Sequence, residues 1–109
     1  MPGRSNSTAT KLTLRQVLAR NIRLVRIHAG MSQERMAAEA GLDRAFVGTL
    51  ERGQRNISID NVELLAIAVG VAPHELMNPD LPALRGLDMT VTRAPRTARP
   101  QPIGRRSAR

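Results

Sequence analysis

Apolar residues recur along this chain at helical spacing in a series of short runs, most opened by a capping residue and closed by a glycine. Leu14, Leu18, Ile22, Val25 and Ala29 form the first stripe, and Val17 widens it. Thr13 stands in front as an N-cap, and Gly30 follows at the position where a left-handed residue closes a helix. Ser32 caps a second helix with Glu34 in its first turn, where the helix dipole favours an acid, and with Met36, Ala37 and Ala40 inward. Gly41 supplies a left-handed turn and Leu42 plugs the corner. Asp43 caps a third helix running to about Arg52, with Val47 and Leu50 inward and Gly53 as its stop. After the loop Gln54 to Ile57, Ser58 caps a fourth helix whose buried face is Ile59, Val62, Leu65, Ala66 and Val69, ended by Gly70. Pro73 opens a short fifth helix to Met77. Leu81, Leu84 and Leu87 have the spacing of one further turn.

The pattern predicts an all-α, five-helix domain over residues 12–78, without internal repeat. It lies between an N-terminal arm (1–11) and a tail (79–109), both expected to be largely disordered. Within the domain, residues 31–53 read as two short helices joined by a tight glycine turn, a helix-turn-helix motif at about 33–52. Arg44, Ala45 and Thr49 point outward over inward Val47 and Leu50, the arrangement of a rod placed in a DNA groove.

Charge sharpens this picture. The formal charge is +8, and residues 12–78 contribute only +1, against +2 from residues 1–11 and +5 from residues 79–109. Of the 17 basic residues all but Lys11 are arginine. The basic flanks are either a footprint for phosphates or solvated tails of an arginine-biased chain. With 109 residues and one aromatic, Phe46, the core is thin and built from Leu, Ile, Val, Ala and Met. The absence of cysteine rules out disulfides and thiolate metal sites and fits a reducing bacterial cytoplasm, with residence on the nucleoid when DNA is bound. The first residues lack the apolar core of a signal peptide, and the longest apolar run, Leu64 to Ala72, is too short to span a bilayer.

The stretch LTLRQVLARNIRLVRIHAGMSQERMAAEAGLDRAFVGTLERGQRNISIDNVELLAIAVGVAPHELM resembles the xenobiotic-response-element-type helix-turn-helix family, which includes phage Cro proteins and repressors. The likeness covers about residues 14–77 and is carried by Ile22, Arg26, Gly30, Ser32-Gln33, Ala37, Gly41, Val47, Glu51-Arg52-Gly53, Arg55-Asn56, Ser58, Val62, Ala66, Gly70-Val71 and Glu75-Leu76. It implies a lambda-repressor-like DNA-binding fold. The segment LDRAFVGTLERGQRNISI is most similar to controller proteins of restriction-modification systems. Their recognition helix typically opens Asp-Arg-Thr-Tyr, where this chain has Asp43-Arg44-Ala45-Phe46. Ile57 stands where the family often has proline and Met36 where it often has leucine, both apolar replacements. Ala45 replaces a hydrogen-bonding side chain and can touch only a thymine methyl.

Candidate contacts follow from residue chemistry and from the resemblance. Arg44, in the first turn of the third helix, suits bidentate pairing with guanine O6 and N7. Asp43, which caps that helix, stands with it at the groove end. Thr49 is either a base reader or a spacer. Phe46, at an angle to the inward direction, is either core or a contact to sugar or thymine methyl. Gly48 inside a helix costs about 1 kcal/mol, for which close approach to a backbone is one reason. Gln33 at the start of the second helix suits a phosphate, as the resemblance implies. The resemblance also implies phosphate contacts by Arg55 and the loop after the third helix; Asn56 either joins them or braces the loop, and Arg52 is a further phosphate candidate. For Arg26 and Glu51 the resemblance implies a partly buried ion pair that orients the third helix.

Leu64 and Ile67 lie three apart, off the buried stripe of the fourth helix. They read as a homodimer contact with Val71, or else as a wider core stripe. A two-fold dimer presents two recognition helices to a palindromic operator. The expected function is a sequence-specific transcriptional regulator that binds double-stranded DNA as a homodimer. The other reading is an antitoxin that binds a partner protein through residues 79–109. Catalysis is not expected: His28 and His74 are the only histidines, there is no phosphate-cradling glycine loop, and Asp60 and Glu63 look like surface charges. Neither a cofactor nor a metal is expected, nor is a membrane partner.

Overall fold

The computed structural model describes residues 11–91. It contains six helices in chain order: α1 (Leu14–His28), α2 (Gln33–Ala40), α3 (Arg44–Glu51), α4 (Ile59–Val69), α5 (Pro73–Leu76) and α6 (Leu81–Arg85). Residues 1–10 and 92–109, most of the arm and tail read above as disordered, lie outside the described residues.

Each of the first four helices begins at the expected cap. Thr13 Oγ1 accepts the Gln16 amide at 3.1 Å while Gln16 Oε1 accepts the Thr13 amide at 2.9 Å, a reciprocal capping box. Ser32, Asp43 and Ser58 each accept one amide, from Arg35, Ala45 and Asn61, without the return bond. Gly41, at φ 73°, lets the chain leave α2 and enter α3 within a few residues. That turn sets α3 against both α2 and α1, while α2 lies along α4.

The core is the space between these helices. Leu18, Ile22 and Val25 of α1 meet Met36, Ala37 and Ala40 of α2, Val47 and Leu50 of α3, and Val62, Leu65, Ala66 and Val69 of α4. Ala37 is small enough for α3 to cross close above it. Two residues expected in the stripes are exposed, Leu14 at 60% and Ile59 at 72%, and Ala29 is only partly buried. Leu14 and Ile59 are each the first residue of their helix. A first-turn side chain leans back toward the N-terminus, past the end of the neighbouring element, so each stripe begins a turn later.

The folded unit also runs beyond residue 78: residues 79–91, read above as the start of the tail, carry α6 and are fastened to α1. From α5 the chain turns back along α1, and Leu81 of α6 joins the core. Polar side chains of α1 hold this strap. Asn21, fully buried, donates to Leu76 O at 2.9 Å and Asn78 O at 2.8 Å. Arg20 donates to Pro79 O at 2.7 Å, and Arg23 to Val91 O at 2.9 Å. The Asp88 amide donates to His28 Nε2 at 3.0 Å. The strap lies along α1, whose Leu24 and Ile27, outside the predicted stripe, are also buried. Among the described residues no helix is long and apolar enough to cross a membrane.

Two carboxylates tie the strap internally. The Arg85 guanidinium, with the Ala72 amide, holds the Glu75 carboxyl below the usual carboxylate range; the Thr90 hydroxyl and amide do the same for Asp88. A folded-state pKa that is lowered adds stability above the ordinary value, and that stability is lost as pH falls through the folded value. Acidification below about pH 4 is therefore expected to loosen Leu81–Thr90. Amide signals of that segment followed by NMR check this; signals unchanged to well below that pH would contradict it.

Candidate nucleic-acid interface

The candidate surface is built on α3. Val47 and Leu50 are fully buried, which fixes the opposite side of this helix toward solvent. Arg44, Ala45 and Arg52 are exposed there, with Thr49 half-exposed between them. Asp43 spends its carboxylate on the cap, accepting the Ala45 amide at 3.0 Å, so it shapes the end of the helix. Arg44 keeps 54% of its side chain exposed while its Nε donates to Glu34 Oε2 of α2 at 3.2 Å. The Glu34 carboxyl lies below its ordinary pKa, first through its own backbone amide and then through Arg44. This pair leaves the outer guanidinium nitrogens of Arg44 for other partners.

Thr49 Oγ donates back to Phe46 O at 3.0 Å, so its methyl and its lone pairs are what it presents. Ala45 adds a second methyl. Gly48 is buried beneath side chains: a Cβ there would meet Arg52 Nη1 at 3.7 Å, Arg44 Nη1 at 3.9 Å and Gln33 Oε1 at 4.0 Å, and no backbone. Close approach of another part of the chain's backbone is therefore not the reason for this glycine. Three polar heads converge over it.

The inner border is an ion pair. Arg26 of α1 donates to Glu51 Oε2 at 2.6 Å and Oε1 at 2.9 Å, and its third arm reaches Met31 O at 2.8 Å. Both residues are buried, more completely than the partial burial expected. Gln33 Nε2 donates to the same Glu51 Oε1 at 3.0 Å, which leaves its second amide N–H. The pair thus joins α1, the start of α2 and the end of α3.

The outer border is the loop after α3. Arg52 Nε donates to Gln54 Oε1 at 3.2 Å. The Arg55 guanidinium lies 5.0 Å from the centroid of the Phe46 ring. Asn56 Oδ1 accepts from Arg15 Nη2 of α1, so Asn56 braces the loop. Phe46 is half-buried, packed against the core on one side and covered by Arg55 on the other. Arg15 was missed in the sequence. The one signal for it was a cation in a first helical turn, where the dipole disfavours it and some other partner must hold it.

Of the residues read as a dimer contact, Leu64 is 40% and Ile67 72% exposed on α4. Val71 is buried in the core and drops out, because the left-handed Gly70 turns the chain inward immediately before it. Among the described residues no group of three or more His, Cys, Asp or Glu stands close enough to hold a metal ion.

This arrangement is a helix-turn-helix, and comparison with known proteins agrees. A helix-turn-helix family matches residues 22–76, and the chain belongs to it. The chain is 48% identical over 66 residues to a hypothetical transcription factor of Neisseria meningitidis, spanning 61% of this chain and 62% of that relative's length. The crystal structure of the restriction-modification controller protein C.AhdI from Aeromonas hydrophila superposes with a TM-score of 0.56 at 44% identity, covering 57% of this chain and 94% of that one. The controller protein C.Esp1396I, solved as a tetramer with its natural 35 base-pair operator, matches with a TM-score of 0.56 at 28% identity, over 62% and 92% of the two chains. Restriction-modification controllers are thus homologues of this protein.

The ion pair makes a sharp prediction. Glu51→Ala strands the buried Arg26 guanidinium and is expected to cost about 3–5 kcal/mol of stability. Thermal unfolding measures it; an unchanged melting temperature would show that the pair does not hold α3.

Proposed function

We propose that this protein is a sequence-specific transcriptional regulator that binds a short palindromic DNA operator as a homodimer, in the manner of a restriction-modification controller. The observation that carries this reading is the outward row of Arg44, Ala45 and Thr49 on a capped helix whose Val47 and Leu50 are sealed in the core. In this reading α3 enters the major groove. Arg44 pairs with a guanine edge through its free nitrogens, and Ala45 and the Thr49 methyl meet thymine methyls. Gln33, Arg52 and Arg55 fix register on the phosphates and carry no sequence information. The basic flanks add salt-sensitive, sequence-blind affinity.

Leu64 and Ile67 supply the dimer contact, an apolar pair on an outer face of α4. The two-fold then separates the recognition helices by about 34–36 Å, one helical turn of DNA. The operator-bound relative supports this reading. The protein works on the nucleoid in the bacterial cytoplasm and carries out no chemistry of its own. The antitoxin alternative has less support, because residues 79–91 of its supposed partner-binding arm are occupied with α1.

Two measurements test the proposal. Selection of bound sequences from random DNA should return a palindrome. On that operator Arg44→Ala is expected to lose about 1–3 kcal/mol and to relax one base position; equal losses on operator and random DNA would remove the base-reading role. In sedimentation, Ile67→Glu is expected to shift the dimer toward monomer without unfolding it. A wild-type chain that stays monomeric at micromolar concentration with operator present would end the dimer model.

A further inference from the structure

Phe46 is the chain's single aromatic ring, and it sits on the recognition helix. A ring at that place invites the reading of a direct DNA contact. The geometry points elsewhere. One side of Phe46 packs against the core, and over its face stands the Arg55 guanidinium, 5.0 Å from the centroid. That distance lies inside the range in which the negative face of an aromatic ring attracts a cation. The face beneath Arg55 is therefore taken by a cation and not offered to a base.

We propose that Phe46 is a positioning residue that acts through Arg55, holding its guanidinium where a backbone phosphate passes the edge of α3. The inference rests on the DNA-binding reading above. Arg55 is exposed and lies in a loop, so an unheld side chain there would sample many rotamers and lose that freedom on every binding event. The Phe46 face removes part of that freedom in advance. The neighbouring residue is fastened too: Asn56 accepts from Arg15, and Ile57 packs against the core. The backbone on the far side of Arg55 is thus fixed to α1, and its head group is fixed to α3. A guanidinium held through its centre keeps its N–H donors at its rim, available to phosphate oxygens.

The test uses the full chain with Phe46→Leu, Phe46→Tyr, Arg55→Ala and the double variant Phe46→Leu/Arg55→Ala. Each is titrated with the selected operator and with random duplex at several salt concentrations. Phe46→Leu is expected to weaken binding to both duplexes equally, by about two- to fivefold, while Phe46→Tyr, which keeps the ring face, binds as wild type. In the Arg55→Ala background Phe46→Leu should cost nothing further. Additive losses, or a loss confined to the operator with a changed base preference, would mean that the ring touches DNA itself and would overturn the proposal. A readout independent of DNA guards against a merely destabilised variant. The Arg55 Nε–H proton should carry an upfield ring-current shift in wild type and Phe46→Tyr and lose it in Phe46→Leu; no shift in wild type removes the stack. A wild-type chain that binds neither duplex sinks the functional reading and this role with it, whereas duplex binding with additive losses sinks this role alone.

Discussion

A guanidinium and a carboxylate are buried together where α1, α2 and α3 meet. Taking two charges out of water is costly, and the cost is offset only where geometry and further hydrogen bonds satisfy both groups. Here Arg26 and Glu51 pair through two parallel bonds, Arg26 spends its remaining arm on Met31 O, and Glu51 takes a further bond from Gln33. An apolar contact at this place would permit α3 to slide or rotate on its neighbours. A two-pronged charge pair has one good geometry, and with it the direction in which Arg44 and Thr49 face becomes a property of the core.

The same economy is repeated across the exposed surface with weaker bonds. Arg44 leans on Glu34, Arg52 on Gln54, Arg55 on Phe46, and Gln33 on Glu51. None of these partners consumes the whole donor set of the side chain it holds. The surface is thus organised before any ligand arrives, and the ordering entropy left for binding is reduced. Exposed pairs such as Arg44–Glu34 are worth little in water. They orient a side chain and still yield it to a stronger acceptor.

The first four helices were legible because their signals are local. Caps at Thr13, Ser32, Asp43 and Ser58 and stops at Gly30, Gly41 and Gly70 mark the ends, and apolar spacing gives the faces. The family likeness carried Arg26 and Glu51, whose partnership across 25 residues leaves no local trace. Other features were hidden for the same reason. Arg15 with Asn56 and Arg55 with Phe46 are pairings between separate elements. Val71 looked like surface because nothing in its neighbours says that the chain turns inward there. Leu14 and Ile59 failed at helix starts, where a periodic stripe continues in sequence after its neighbour has ended in space. The strap was hidden because its attachment depends on polar side chains of α1 that meet main-chain atoms more than fifty residues away.

That attachment has a particular form. Arg20, Asn21, Arg23 and His28 all grip main-chain atoms of the returning segment: the carbonyl oxygens of Leu76, Asn78, Pro79 and Val91 and the amide of Asp88. A peptide carbonyl is the same acceptor whatever residue bears it. Apart from the side chains that reach the core, Leu76, Leu81 and Leu87, and those that tie the segment internally, evolution is free to rewrite the letters here while the grip persists, so relatives with a different ending can share the fastening as long as the helix beneath keeps its four hooks.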